Sequence, residues 1–146
     1  MTQTVRERAV GTWRMVSLEV GEGQGLIQPY GPSPHGLMVI TADGWFTITI
    51  TRPDLPTFAS GNRERGNDAE NRAIVRGSIG YFGTYTIDEA TSTIACRIEG
   101  TTFPNYLGET QVRRLIFDGD TITYVNDSPS GGGGIARAKW RRARPA

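Results

Sequence analysis

The chain is short of the residues on which much catalytic machinery is built. It has one histidine, His35, and one cysteine, Cys96, among 146 residues. A single cysteine excludes an internal disulfide and fits a reducing compartment. One His and one Cys far apart in sequence make a poor metal set. Charge of one sign is also lacking: 16 Lys and Arg stand against 15 Asp and Glu, a net charge of +1. That gives no general reason to bind nucleic acid or an anionic membrane. No stretch approaches the ~18 apolar residues of a membrane-spanning helix. Thr2 to Ala9 carries two Arg and a Glu without an apolar core, so it does not read as a signal peptide. No Ser-His-Asp pattern, P-loop or dinucleotide fingerprint occurs, and Gly131 to Gly134 lack the Lys-Ser/Thr that phosphate cradling wants. The expectation is a soluble, cytoplasmic protein with one domain over residues 1–146, needing no cofactor and no metal.

Turn residues are abundant, with 19 Gly and 8 Pro. They suit an all-β chain of short strands. Gly11-Thr12-Trp13 heads the first strand-like run, to Val20. Glycine there admits close approach of another segment, and Trp13 is a large plug with an N–H that wants a partner. A polar stretch, Thr4 to Val10, reads as one helical turn leading into it. Seven further strands are expected, near 37–41, 45–51, 80–87, 93–99, 109–117, 121–125 and 135–141. Asp68 reads as the cap of a short helix running to 74–78, with Glu70 in its first turn. Ala42-Asp43-Gly44 and Asp118-Gly119-Asp120 read as tight hairpins. Phe46, Ile48 and Ile50 alternate with threonines, and Ala136, Ala138 and Trp140 alternate with Arg137, Lys139 and Arg141. The first and fifth strands have no cleanly polar face, so their orientation stays open.

The connections alternate: long, short, long, short, long, short, long. In an up-and-down barrel, alternate connections lie at the same end. The three short turns therefore share one end with Trp13, and the four long loops crowd the other. Eight strands leave room for side chains or one small ligand. One end is sealed, and a pocket faces the long loops.

The chain resembles the short bacterial lipocalin-like domain proteins of the calycin group. The matching pieces are Gly11-Thr12-Trp13, Pro29-Tyr30-Gly31-Pro32-Ser33-Pro34, Thr41-Ala42-Asp43-Gly44, Arg52-Pro53-Asp54, Phe103-Pro104-Asn105 and Gln111-Val112-Arg113-Arg114. The resemblance covers nearly the whole chain. It implies an eight-stranded antiparallel barrel with a small-molecule pocket, and an Arg of the last strand, Arg141 or Arg142, packed across Trp13. It does not imply one reaction, since carriers and enzymes share the fold.

Strand parity selects candidate site residues. Gln111, Arg113, Leu115 and Phe117 share a face, and the two apolar members turn that face inward. Arg113 then either holds an anionic ligand, or forms a structural ion pair, or points outward with Arg114 in its place. Arg52 continues the apolar parity of its strand to the open end; the alternative is a loop-anchoring bridge to Asp54 or Glu70. Tyr81 and Tyr85 face one side and suit a half-apolar pocket or ordinary packing. Tyr124 and Tyr30 are further candidates for the mouth, and Asn105 for fixing its loop. Glu99 is a candidate base at the open end or a solvated outer residue. His35 is a candidate proton shuttle or a surface loop residue. Cys96 reads as a small core residue.

Three functions compete. The first is a binding protein, a carrier or sensor for a hydrophobic or weakly anionic small molecule. The second is a cofactor-free enzyme of isomerase, cyclase or lyase type, with Arg113 and Arg52 holding an oxyanion while Tyr85, Glu99 or His35 moves a proton. The third is an interaction module whose barrel is filled by its own side chains. The partner expected is a small hydrophobic molecule, with no nucleic acid and no membrane; a homodimer stays open.

Overall fold

The computed structural model describes residues 2–129 and 132–146. Eight antiparallel strands run β1 Gly11–Val20, β2 His35–Ile40, β3 Trp45–Thr51, β4 Ser78–Asp88, β5 Thr93–Thr101, β6 Thr110–Asp118, β7 Thr121–Asn126 and β8 Ala136–Arg142. Each pairs with its neighbour in sequence, and β8 pairs back onto β1, closing an up-and-down barrel. Closure leaves no edge strand. Two α-helices complete the frame: α1 Val5–Ala9 ahead of β1, and α2 Asp68–Gly77 between β3 and β4. Of the glycine-rich loop expected over 126–134, Ser130 and Gly131 lie outside the described residues.

The short turns β2–β3, β4–β5 and β6–β7 share one end, and α1 closes it. Thr4 and Glu7 cap α1 reciprocally. The Val5 and Arg6 amides donate to the Glu89 carboxylate at 2.7 and 3.1 Å, tying the helix N-terminus to the β4–β5 turn. Arg6 donates to the Ala42 carbonyl of the β2–β3 turn and lies over the Tyr85 ring. Arg8 lies over Phe117, next to the β6–β7 turn. Trp13 is 1% exposed and donates its indole N–H to the Ala9 carbonyl at 2.9 Å. Of the two arginines expected across it, Arg142 takes the place, 4.3 Å from the ring centroid. Arg142 also donates to the Val10 and Arg8 carbonyls. Gly11 makes this possible: a Cβ there would collide with the Arg142 guanidinium.

The orientation of β1 has a structural cause. Met15 pairs with Trp140 but Ser17 with Lys139, so the register shifts at Val16. This β-bulge moves the inward set from Trp13 and Met15 to Leu18 and Val20, and no single parity describes the strand. On β5 the inward residues are Ile94, Cys96 and Ile98, all buried. The α2 cap differs from expectation. Asn67, not Asp68, accepts from the Glu70 amide through its side chain, and the Asn67 amide donates back to the Glu70 carboxylate. Glu70 also accepts from Ala59 N–H, so these backbone donors hold its carboxyl below the usual range.

The candidate functional site is an open-ended cavity

Above a floor that includes Trp140, the barrel encloses a cavity of about 630 Å³ opening among the long loops. That size is ordinary for a small-molecule site. Its walls are Leu18, Val20, Ile48, Ile50, Ile79 and Ala138, with Ile74 and Val75 of α2 at the mouth. The strand residues come from the inward rows that leave short or aliphatic side chains near the open end. The aromatic residues form a connected line. Phe46 meets Tyr81 edge-on at 6.0 Å, Tyr81 meets Tyr106 at 5.7 Å, and Tyr106 meets Phe103 at 5.0 Å. Tyr106 and Phe103 belong to a 3-10 turn over Pro104–Tyr106 and its cap, in the β5–β6 loop.

Several polar groups face this apolar space. Arg113 of β6 lines it, half-buried. Its Nη2 donates to Gln111 Oε1 at 2.7 Å and its Nη1 to the Val112 carbonyl at 3.1 Å. Gln111 is itself buried, the inward neighbour of Arg113 on the same strand face. Tyr30, Tyr81, Tyr106 and Tyr124 also line the cavity. Among the described residues, Tyr85 alone uses its hydroxyl in a protein hydrogen bond, to the Thr41 carbonyl at 2.6 Å. The cavity tyrosines leave theirs unpartnered. Burial pushes the Tyr30 phenol up to about 12, and the Tyr81 and Tyr124 phenols well above the ordinary value. The Arg113 charge opposes the shift at Tyr81 and Tyr124. Trp140 lines the floor, but its indole N–H is buried away from the open cavity, with no hydrogen-bond partner among the described residues. Among the described residues, every charged side chain on the lining is an arginine: Arg113 inside, Arg63 and Arg76 at the mouth.

Four of the expected site residues thus come together: Arg113, Tyr81, Tyr124 and Tyr30. Five do not line the cavity. Arg52 is loop-anchoring: its Nε and Nη2 donate to Asp54 at 2.8 and 3.0 Å, and its Nη1 donates to the Pro29 carbonyl. That pairing holds the Asp54 carboxyl below its usual range and joins two loops. Tyr85 is on the same face as Tyr81 but deeper, where it serves the closed end. Glu99 is exposed; it falls in the register shift where Gly83 pairs with Ile98 and Phe82 with Gly100. His35 is the first residue of β2, on the outward parity opposite Met38 and Ile40, and is exposed. Asn105 is exposed on the 3-10 turn, whose flanking rings turn inward instead. Sequence reasoning missed Tyr106 and the unpartnered Trp140. The inward row of β8 was the available signal for Trp140; none marked Tyr106.

The closed up-and-down barrel, the tryptophan stopper under an arginine and the cavity open among the long loops define a lipocalin-like barrel. A family description, lipocalin-like domain, matches residues 10–143, and the chain belongs to that family. No curated protein matches the chain. No helix among the described residues is long and apolar enough to cross a membrane.

Proposed function

We propose that this chain binds a hydrophobic small molecule inside the barrel. The observation that carries this reading is the cavity of about 630 Å³, open at one end and walled by aliphatic and aromatic side chains. A barrel serving only as an interaction module would fill that space with its own residues. Holding is favoured over turnover by where the proposed proton carriers lie. Glu99 and His35 are outside the cavity, and burial keeps the Tyr81 and Tyr124 phenols protonated as donors rather than bases.

Native mass spectrometry of freshly purified protein tests the reading. A co-purified compound of low mass is expected on the wild type and is expected to be lost in Ala138→Trp, where an indole fills the interior. An adduct retained unchanged by Ala138→Trp would place binding elsewhere and overturn the proposal.

A further inference from the structure

We infer that the ligand carries an oxyanion, a carboxylate in particular, and that this group is set down inside the barrel against Arg113, Tyr81 and Tyr124. The inference rests on the reading of the barrel as a container.

An arginine inside a barrel is unfavourable unless its charge meets an opposite one. Arg113 is the one charged side chain among the described strand residues that line the cavity. Its side-chain partner is Gln111, a neutral amide, at 2.7 Å. Gln111 fixes the direction of the guanidinium without cancelling its charge. A glutamate at the same position would do both. The ionisable groups that sense Arg113 are Tyr81, Tyr124 and Cys96, and burial favours the neutral form of each. The positive charge of Arg113 is therefore left for something not supplied by the chain's described residues.

The neighbouring polar atoms have the matching hydrogen-bond sense. Two phenol hydroxyls, those of Tyr81 and Tyr124, line the cavity unpartnered and are held protonated by burial, so they can donate. An ionised carboxylate only accepts, at up to about four sites, and its plane suits a guanidinium. An ammonium would meet repulsion from Arg113 and find few acceptors. A neutral alcohol would satisfy one or two donors and leave the charge unmet. The aliphatic wall between this cluster and the mouth suits the apolar remainder of the molecule. Arg63 and Arg76 at the mouth add attraction of the same sign for an incoming anion.

Isothermal titration calorimetry with decanoate and decan-1-ol at pH 8 tests the inference. The two probes share a chain and differ in the head. Wild-type protein is expected to bind decanoate about tenfold or more tightly than decanol, the scale of a charge-assisted hydrogen bond. Arg113→Gln removes the cation, and Gln111→Glu cancels it with an internal ion pair. Both variants are expected to lose that preference, bringing the decanoate-to-decanol affinity ratio to about one or below. Equal binding of the two probes by wild type, or a decanoate preference surviving both variants, would overturn the oxyanion inference and leave the container standing. Binding of neither probe would overturn the container reading, and the inference with it. The wild-type preference is read without any variant, so a variant that fails to fold does not remove the test.

Discussion

The closed end of the barrel and the cavity above it use the same three residue types in opposite ways. At the closed end, Trp13 donates to Ala9, Tyr85 donates to Thr41, and Arg142 donates to two carbonyls while covering the indole. In the cavity above it, Tyr81 and Tyr124 have unpartnered hydroxyls and Arg113 leans on a neutral amide, while Trp140, on the floor between, has an orphan N–H. Buried polar groups are normally satisfied, and the exceptions call for an explanation. The closed end spends its hydrogen bonds on the fold. The cavity keeps them available.

Matched substitutions in the two regions break or sharpen this contrast, and the tryptophans are expected to show it most. Trp13→Phe is expected to destabilise by about 2–4 kcal/mol, through lost packing volume, a stranded Ala9 carbonyl and an unsupported Arg142. Trp140→Phe is expected to stay under about 1.5 kcal/mol, since no hydrogen bond is broken. Urea denaturation measures both; equal losses would erase the distinction. The arginines come next. Arg142→Ala is expected to lower stability by about 1–2 kcal/mol, given its two carbonyl partners and its place over the indole. Arg113→Gln is expected to fall within about 0.5 kcal/mol of wild type. A large loss at Arg113 in thermal melts would make it a structural ion partner after all. The tyrosines follow. Tyr85→Phe is expected to lose about 1 kcal/mol with its bond to Thr41, and Tyr81→Phe close to nothing in ligand-free protein.

Alkaline titration probes the four phenols that burial holds protonated, Tyr30, Tyr81, Tyr85 and Tyr124. Their folded-state values lie above those of the unfolded chain, near 10. From about pH 10 upward the unfolded state therefore binds fewer protons than the fold, and stability falls as pH rises. Phenolate absorbance is expected to lag behind that of free tyrosine until the barrel opens. Ionisation of all four near pH 10 in folded protein would contradict their burial.

Much of the frame is legible in the residues themselves. The strands with strict alternation, β3 and β8, read correctly because one face is buried and side chains repeat every two positions. The hairpins read because Asp-Gly pairs demand tight turns. The order of long and short connections then separates the ends without any coordinate. β1 resisted, because its bulge at Val16 swaps the inward face midway. Site reading followed the same rule. Parity put Arg113 on an inward row, where the barrel dictates direction, and Tyr124 was marked by its place near the open end of its strand. Parity also grouped Tyr85 with Tyr81, but it carries no depth. Arg52, Glu99, His35 and Asn105 sit at strand ends or in loops. There, local hydrogen bonds and bulges decide direction, as the Asp54 and Pro29 partners of Arg52 show.

The chain's three indoles, Trp13, Trp45 and Trp140, make a direct test of the contrast between the closed end and the cavity. Their N–H signals in a ¹H–¹⁵N spectrum report the closed end, its exposed outer face and the cavity floor. On titration with decanoate, the Trp140 signal is expected to shift, as the ligand fills the cavity that its side chain lines, while Trp13 and Trp45 hold their positions. A stationary Trp140 signal, with Trp13 or Trp45 moving instead, would contradict the assignment of the open end to the ligand.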